Sequence, residues 1–139
     1  MKFLVAIAPS GEIIFISQLF GGRTTDTEIT VRSGFLELLE RGDVVLADKG
    51  FPRIEEDCNK AGAFLIMPPF KSGNKQFSAK ENKQGYQCAT VRIHVERAIA
   101  RLKLFEILSF MPNHLHAYSN KILVIIAFIC NCKNDLIKE

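Results

Sequence analysis

Two acidic residues carry the strongest chemical signal in this sequence. Asp48 ends the short apolar run 43–48 and is followed by Lys49 and Gly50, while Glu96 lies in the later segment 91–103. The first pattern predicts a strand whose last residue projects beyond the sheet edge, which is where open α/β sheets place ligands. Carboxylates held on a rigid scaffold can bind Mg²⁺ or Mn²⁺ for phosphoryl transfer.

The segment 91–103 is predicted to be a helix that positions the glutamate. At 3.6 residues per turn, Arg92, Glu96 and Lys103 fall within a narrow arc beside an apolar stripe. An Arg and a Lys are suited to binding phosphate oxygens. On its own Glu96 is an ordinary surface glutamate, and Asp48 alone is more simply a turn residue. The pairing makes metal-assisted phosphoryl chemistry the better interpretation.

These motifs resemble the DDE endonuclease domain of PIF/Harbinger-type transposases. In that family the second catalytic Asp lies in the motif A-D-[KR]-G-[FY], which residues 47–51 match. The catalytic Glu lies in the motif Y-x-x-R-x-x-x-E-x-x-x-x-x-x-K. Arg92, Glu96 and Lys103 match this second motif, and Ala89 stands in place of its Tyr. Further similar stretches are 8–11, 21–29 and 67–70, so the resemblance covers nearly the whole chain. Its motifs are weak singly and specific in this order and spacing.

The resemblance implies a ribonuclease H-like α/β fold, with a mixed sheet of strand order 3-2-1-4-5 and flanking helices, over residues 1–139 as one partial domain. It also implies Asp48 and Glu96 as catalytic, metal-binding carboxylates. The segment 1–8 matches strand 2, so we expect strand 1 and the first catalytic Asp to be missing and the chain alone to be inactive. Asp26 is a further metal-ligand candidate, although a first-turn carboxylate needs no function beyond stabilising its helix.

The charge of the chain mildly favours a polyanion such as DNA as a partner. The net charge is +3, from 18 basic and 15 acidic residues. DNA, as transposon ends or target, is the expected substrate, with a separate DNA-binding protein as a candidate partner and self-association through unpaired strand edges as another expectation. The residues expected to contact DNA are Lys49, Lys71, Lys75, Arg92, Arg97 and Lys103.

Two alternatives stay open at this point. One is a non-catalytic DNA-binding or protein-interaction remnant of a domesticated transposase, and the other is a small zinc protein using His114 and His116 with Cys130 and Cys132. Residues two apart on a helix point nearly opposite ways, so buried thiols and loop histidines are the simpler interpretation. We expect His94 to be exposed.

The cysteine pattern and the lengths of the apolar runs predict an intracellular protein, nuclear in a eukaryote and otherwise cytoplasmic, with no membrane partner. The predicted elements are a hairpin at 2–8 and 12–19, helices at 25–40, 52–61, 84–104 and 115–133, buried strands at 44–48 and 63–67, and a loop at 70–83.

Overall fold

A computed structural model describes residues 1–48, 51, 54–68 and 92–133 of the chain. It is a mixed α/β structure with two small sheets. The chain divides into unit 1, Met1–Thr24 with Ile93–Glu139, and unit 2, Thr25–Arg92. Within the described ranges, no helix is long and apolar enough to cross a membrane.

Unit 1 begins with the predicted antiparallel hairpin. Strand β1 (Val5–Ile7) pairs with β2 (Ile13–Ile16), with a register shift at Ala6/Ile7. The turn between them contains Gly11, whose φ of 90° is favourable for glycine alone. An isolated bridge from Lys2 to Phe20 extends the pairing beyond the strands.

Three helices complete unit 1, the first of which begins with Arg92, the last residue of unit 2. The described part of α3 covers residues 92–103, α4 is Glu106–Ser109, and α5 is Ser119–Asn131. A 3₁₀ helix at Asn113–Tyr118 precedes α5, so the predicted continuous helix over 115–133 is wrong in its first turn. Helices α3 and α5 supply the core, which packs against hairpin side chains such as Val5 and Ile16. Its buried members are Leu102, Ile126, Ala127 and Cys130.

Unit 2 contains the predicted βαβ crossover. Strand β3 (Val44–Leu46) and β4 (Phe64–Ile66) pair in parallel, and α2 (Glu55–Lys60) connects them. Gly62 ends this connection at a φ of 77°. Ile54, Cys58 and Ala63 form the buried core, with Leu65 packed against it.

The prediction of buried strands in unit 2 is wrong for one face of the sheet. Val44, Leu46 and Phe64 are all exposed, Phe64 by 62%. Side chains alternate along a strand, and the core that includes α2 contacts the face carrying Leu65. An apolar run does not distinguish a sheet covered on one face from a sheet covered on both.

The predicted helix over 25–40 is two shorter elements. Helix α1 (Asp26–Arg32) ends before Gly34, which has a φ of 80°, and a 3₁₀ helix then covers Phe35–Leu38. The Ser33 hydroxyl donates to the carbonyl of Thr30 and accepts from the Phe35 N–H. This local bonding offers the backbone an alternative to continuing the helix.

Candidate functional site

Asp48 lies just beyond the carboxyl end of β3, as its position in the sequence predicted. Its side chain is 45% exposed, and Arg92 Nη1 donates to its Oδ1 at 3.3 Å. Both residues belong to unit 2. Strand β3 therefore places the Asp48 carboxylate at the end of the sheet. The guanidinium next to it belongs to Arg92, the first described residue of α3.

The partner of Arg92 was not predicted. The sequence motif suggested that this arginine contacts phosphate, whereas here its guanidinium contacts Asp48. Arg92 and Asp48 are 44 positions apart in the sequence, and no local sequence pattern predicts a contact at that separation. The two family motifs nevertheless contain one residue each of this pair.

Glu96 lies on α3, one turn after Arg92, and belongs to unit 1. Arg92, Glu96 and Lys103 are all exposed, whereas Ala98 and Leu102 are buried. The amphipathic pattern predicted for this helix is therefore confirmed. Whether Glu96 and Asp48 share an ion stays a prediction.

Asp26 is the first residue of α1. Thr25 caps this helix, its hydroxyl accepting from the Glu28 N–H at 3.2 Å, so the helix begins where the predicted helix at 25–40 was expected to begin. The Asp26 side chain is exposed. Its carboxylate suits the positive end of the helix, and its role as a metal ligand stays a prediction.

The chemistry of these side chains suits a hard divalent cation. Asp48, Glu96 and Asp26 are exposed carboxylates, the oxygen donors that Mg²⁺ and Mn²⁺ prefer. Within the part of the chain that the structure describes, no three His, Cys, Asp or Glu side chains are grouped to hold a metal. These residues fit the ion by donor type.

Arg97 and Lys103, two of the expected DNA contacts, are exposed on α3. A third expected contact, Arg92, is the residue paired with Asp48. The remaining three, Lys49, Lys71 and Lys75, lie outside the described residues, as do Cys88 and the predicted loop at 70–83.

His94 corrects one expectation. It is partly buried, and its Nδ1 is fully buried without a hydrogen-bond partner among the described atoms. His94 does lie opposite Glu96, but that side of α3 continues into Ala98 and Leu102 and faces the core rather than solvent.

The His and Cys pairs are divided between different environments. Cys130 is buried, as expected, but Cys132 is exposed because residues two apart on a helix point nearly opposite ways. His116 Nε2 is 3.0 Å from the carbonyl oxygen of Met111, and His114 is exposed. Both histidines lie in the 3₁₀ helix before α5 rather than in a loop.

The remaining described thiol, Cys58, is fully buried in the unit 2 core. Burial, with a smaller contribution from the charge of Asp57, raises the pKa of this thiol above its ordinary value. A neutral buried thiol is a poor nucleophile, so Cys58 is a packing residue.

Comparison with known proteins assigns the family. A family model described as DDE superfamily endonuclease matches residues 1–131. Comparison with curated proteins found no match, and comparison with solved structures found none. The family match covers Asp48, Arg92 and Glu96 together with the elements that carry them. This chain therefore belongs to the DDE superfamily endonuclease family.

Proposed function

We propose that this chain is a transposase-derived endonuclease domain that binds divalent metal through Asp48 and Glu96 and acts on DNA phosphodiester bonds. We further propose the PIF/Harbinger subtype and a ribonuclease H-like fold. The observation that carries the proposal is the exposed Asp48 carboxylate beyond β3, next to an arginine of the same helix as Glu96. Family membership supplies the expectation that the substrate is DNA.

The roles of the side chains follow from their chemistry. Asp48 and Glu96 would hold Mg²⁺ or Mn²⁺, with Asp26 as a third candidate ligand. When bound, such ions activate a water or a 3′-hydroxyl and stabilise the leaving oxygen. Lys103 is exposed on α3 and would contact phosphate oxygens. Arg92 would neutralise the Asp48 carboxylate while no ion is bound.

Metal titration tests this proposal directly. Mn²⁺ binding should weaken at least tenfold in Asp48→Ala and in Glu96→Gln, measured by calorimetry on the full chain. Glu56→Gln is the matched control, because Glu56 is an exposed carboxylate of α2 outside the family motifs. Equal Mn²⁺ affinity in all four proteins would contradict the metal site.

We expect no metal-dependent cleavage or strand transfer by this chain alone. The family motifs match only its second Asp and its Glu, and two carboxylates leave a metal pair short of a bridging ligand. Nicking of a supercoiled plasmid in Mg²⁺ measures the activity. Robust nicking that Glu96→Gln abolishes would overturn the expectation, and Asp26 would then be the first candidate for the missing ligand.

The charge of unit 1 favours a second candidate function, that of a non-catalytic DNA-binding or protein-interaction remnant. Over the whole sequence unit 1 has 8 Lys and Arg against 5 Asp and Glu, whereas unit 2 has 10 of each. The net charge of +3 therefore belongs to unit 1. Salt-sensitive DNA binding in EDTA, unchanged by Asp48→Ala, would support this candidate over a metal-dependent one.

A further inference from the structure

The β1–β2 hairpin of unit 1 has two outer edges, and α5 covers the one along β2. The Asn131 side chain accepts from the Ile13 N–H and donates to the Ile13 carbonyl, each at 2.9 Å. The Asn120 side chain accepts from the Leu19 N–H at 2.9 Å. These side-chain amides take the place of a neighbouring strand, and an additional strand would have to displace them to pair along β2.

The outer edge of β1 is different. The even-numbered residues Lys2, Leu4 and Ala8 all direct their backbone hydrogen bonds to β2 and the residues next to it, Lys2 with Phe20 at 2.9 and 2.7 Å. Backbone groups alternate in direction along a strand, so the odd-numbered residues point their N–H and C=O groups away from β2. Within the part of the chain that the structure describes, no third strand pairs with those groups. The β1 edge, as we call it, consists of Phe3, Val5 and Ile7.

The side chains of the β1 edge are apolar. Phe3 and Val5 pack against the unit 1 core, and both stay partly exposed. The sequence has no charged residue between Lys2 and Glu12, so no charge on the strand itself opposes pairing. An open row of N–H and C=O groups beside apolar side chains is a template for a further strand.

A second copy of this chain fits the β1 edge by symmetry. Antiparallel pairing about a two-fold axis at Val5 places Val5 opposite its counterpart, and Phe3 opposite Ile7 of the second copy. In that register every outward N–H meets a carbonyl, because each pair exchanges two hydrogen bonds. The edge is already extended in both copies, whereas a flexible peptide would lose conformational entropy on docking. The edge therefore favours a second copy over an unstructured partner.

We propose that two copies of this chain pair through the β1 edge and form one continuous antiparallel sheet in the order β2-β1-β1-β2. A two-fold axis perpendicular to this sheet puts the cores of both copies on the same face. The proposal assigns an edge, a register and an occupant to the self-association expected from the sequence. The pairing needs neither metal nor DNA, so its failure would leave the proposed function untouched.

Amide hydrogen exchange of the full chain at low and high protein concentration tests the pairing. Exchange at Phe3, Val5 and Ile7 should slow by about tenfold or more as the concentration rises, because these N–H groups gain acceptors only in the dimer. Leu4 and Ala8 are the matched controls, since their N–H groups already donate to the Ser17 hydroxyl and the Glu12 carbonyl, and their exchange should change less. Fast exchange of the β1 edge at both concentrations would overturn the proposal. Equally slow exchange at both would show that the same copy covers the edge, and would also overturn it.

Single cysteines report the register, in a background where Cys88 and Cys132 are replaced by Ser. Val5→Cys should form a disulfide-linked dimer with copper phenanthroline as oxidant, because the paired Cα atoms would lie about 5.5 Å apart. Ile7→Cys alone should not, since the two Ile7 positions would be about 13 Å apart along the strands. A mixture of Ile7→Cys with Phe3→Cys should crosslink again. Crosslinking of Ile7→Cys alone as efficient as that of Val5→Cys would contradict the pairing.

Two proline variants separate association from folding. Proline at Val5 removes an outward N–H, whereas proline at Ala6 removes one directed at Phe15 of β2. Val5→Pro should keep the fold and weaken the dimer by about tenfold or more, because two hydrogen bonds between the copies are lost. Ala6→Pro should lower the thermal midpoint more than Val5→Pro does.

Sedimentation measures the dimer, with Ile125→Lys and Phe128→Lys present in both proline variants and in their reference, so that the exposed apolar side of α5 does not contribute. The reference should sediment as a dimer at high concentration. A reference that is monomeric at every concentration, or a folded Val5→Pro that associates as strongly as the reference, would overturn the proposal. If Val5→Pro unfolds, the exchange and crosslinking results decide.

Discussion

Arg92 is the residue whose role the structure changes most. A guanidinium beside Asp48 competes with a cation for the same carboxylate oxygens. We therefore expect Arg92→Gln to raise Mn²⁺ affinity severalfold in a calorimetric titration. Arg32→Gln, which breaks the exposed Arg32–Glu28 pair in α1, is the control. Weaker Mn²⁺ binding in Arg92→Gln would instead show that Arg92 holds Asp48 in a productive orientation.

His94 leads to a stability prediction. Its buried Nδ1 has no partner within the described structure, and a buried polar atom without a hydrogen bond is destabilising. His94→Leu should therefore raise the free energy of unfolding by about 1 kcal/mol in urea denaturation. His114→Leu removes an exposed histidine and should change stability little. An unchanged or lower midpoint in His94→Leu would show that Nδ1 has a polar partner.

At the scale of residues, the sequence predicted interactions between residues that are close together in the chain. The helix expected to start at residue 25 does start there, because the Thr25 hydroxyl caps the N–H of Glu28, only three residues away. His94 was expected to be exposed, but it lies at helical spacing from the buried Ala98 and Leu102, so the apolar periodicity of α3 already places it next to the core. The Asp48–Arg92 pair joins residues with no local signal between them.

At the scale of elements, Gly34 determines where α1 stops. Its φ of 80° is strained for residues with a Cβ, although a Cβ there would meet no atom within 4 Å. Gly34→Ala should cost about 1 kcal/mol of stability through backbone strain alone. Gly22→Ala is the matched control, because it is equally open and has no left-handed φ. Equal thermal midpoints for the two variants would contradict this explanation.

Asn131 connects two elements that are far apart in sequence. Its side chain makes two hydrogen bonds to Ile13, whereas Asn120 makes a single one to the Leu19 N–H. Asn131→Ala should therefore destabilise the chain more than Asn120→Ala, by about 1 kcal/mol in chemical denaturation. The opposite order would show that the hairpin is held mainly by its apolar contacts with α5.

The existence of most elements followed from the sequence, but their lengths did not. The hairpin and the βαβ crossover are present, because Pro-Ser-Gly and Gly62 are strong turn signals. Helix lengths were overestimated where Gly34 and the 3₁₀ turn before Ser119 interrupt an apolar pattern. An apolar pattern with helical spacing can continue across a short break in the helix. The pattern therefore does not show where the helix ends.

At the scale of the whole molecule, α5 has apolar residues on more than its buried side. Phe128 is 68% exposed, and Val124 and Ile125 are also exposed. Contiguous apolar surface promotes association. Ile125→Lys combined with Phe128→Lys should lower the weight-average mass in sedimentation experiments, while Lys121→Gln should not. Association that persists in the double variant would direct attention to the expected pairing of open strand edges.

The two-part construction of unit 1 has a consequence for synthesis on the ribosome. Ile13 and Asn131 are 118 positions apart, and the whole of unit 2 comes between the two parts of unit 1 in the sequence. At typical translation rates the hairpin would wait on the order of ten seconds for α5 to be made. Throughout that interval Val5 and Ile16 would lack the helix that packs against them in the finished fold. The nascent hairpin is therefore a natural client for a chaperone that binds short apolar strands.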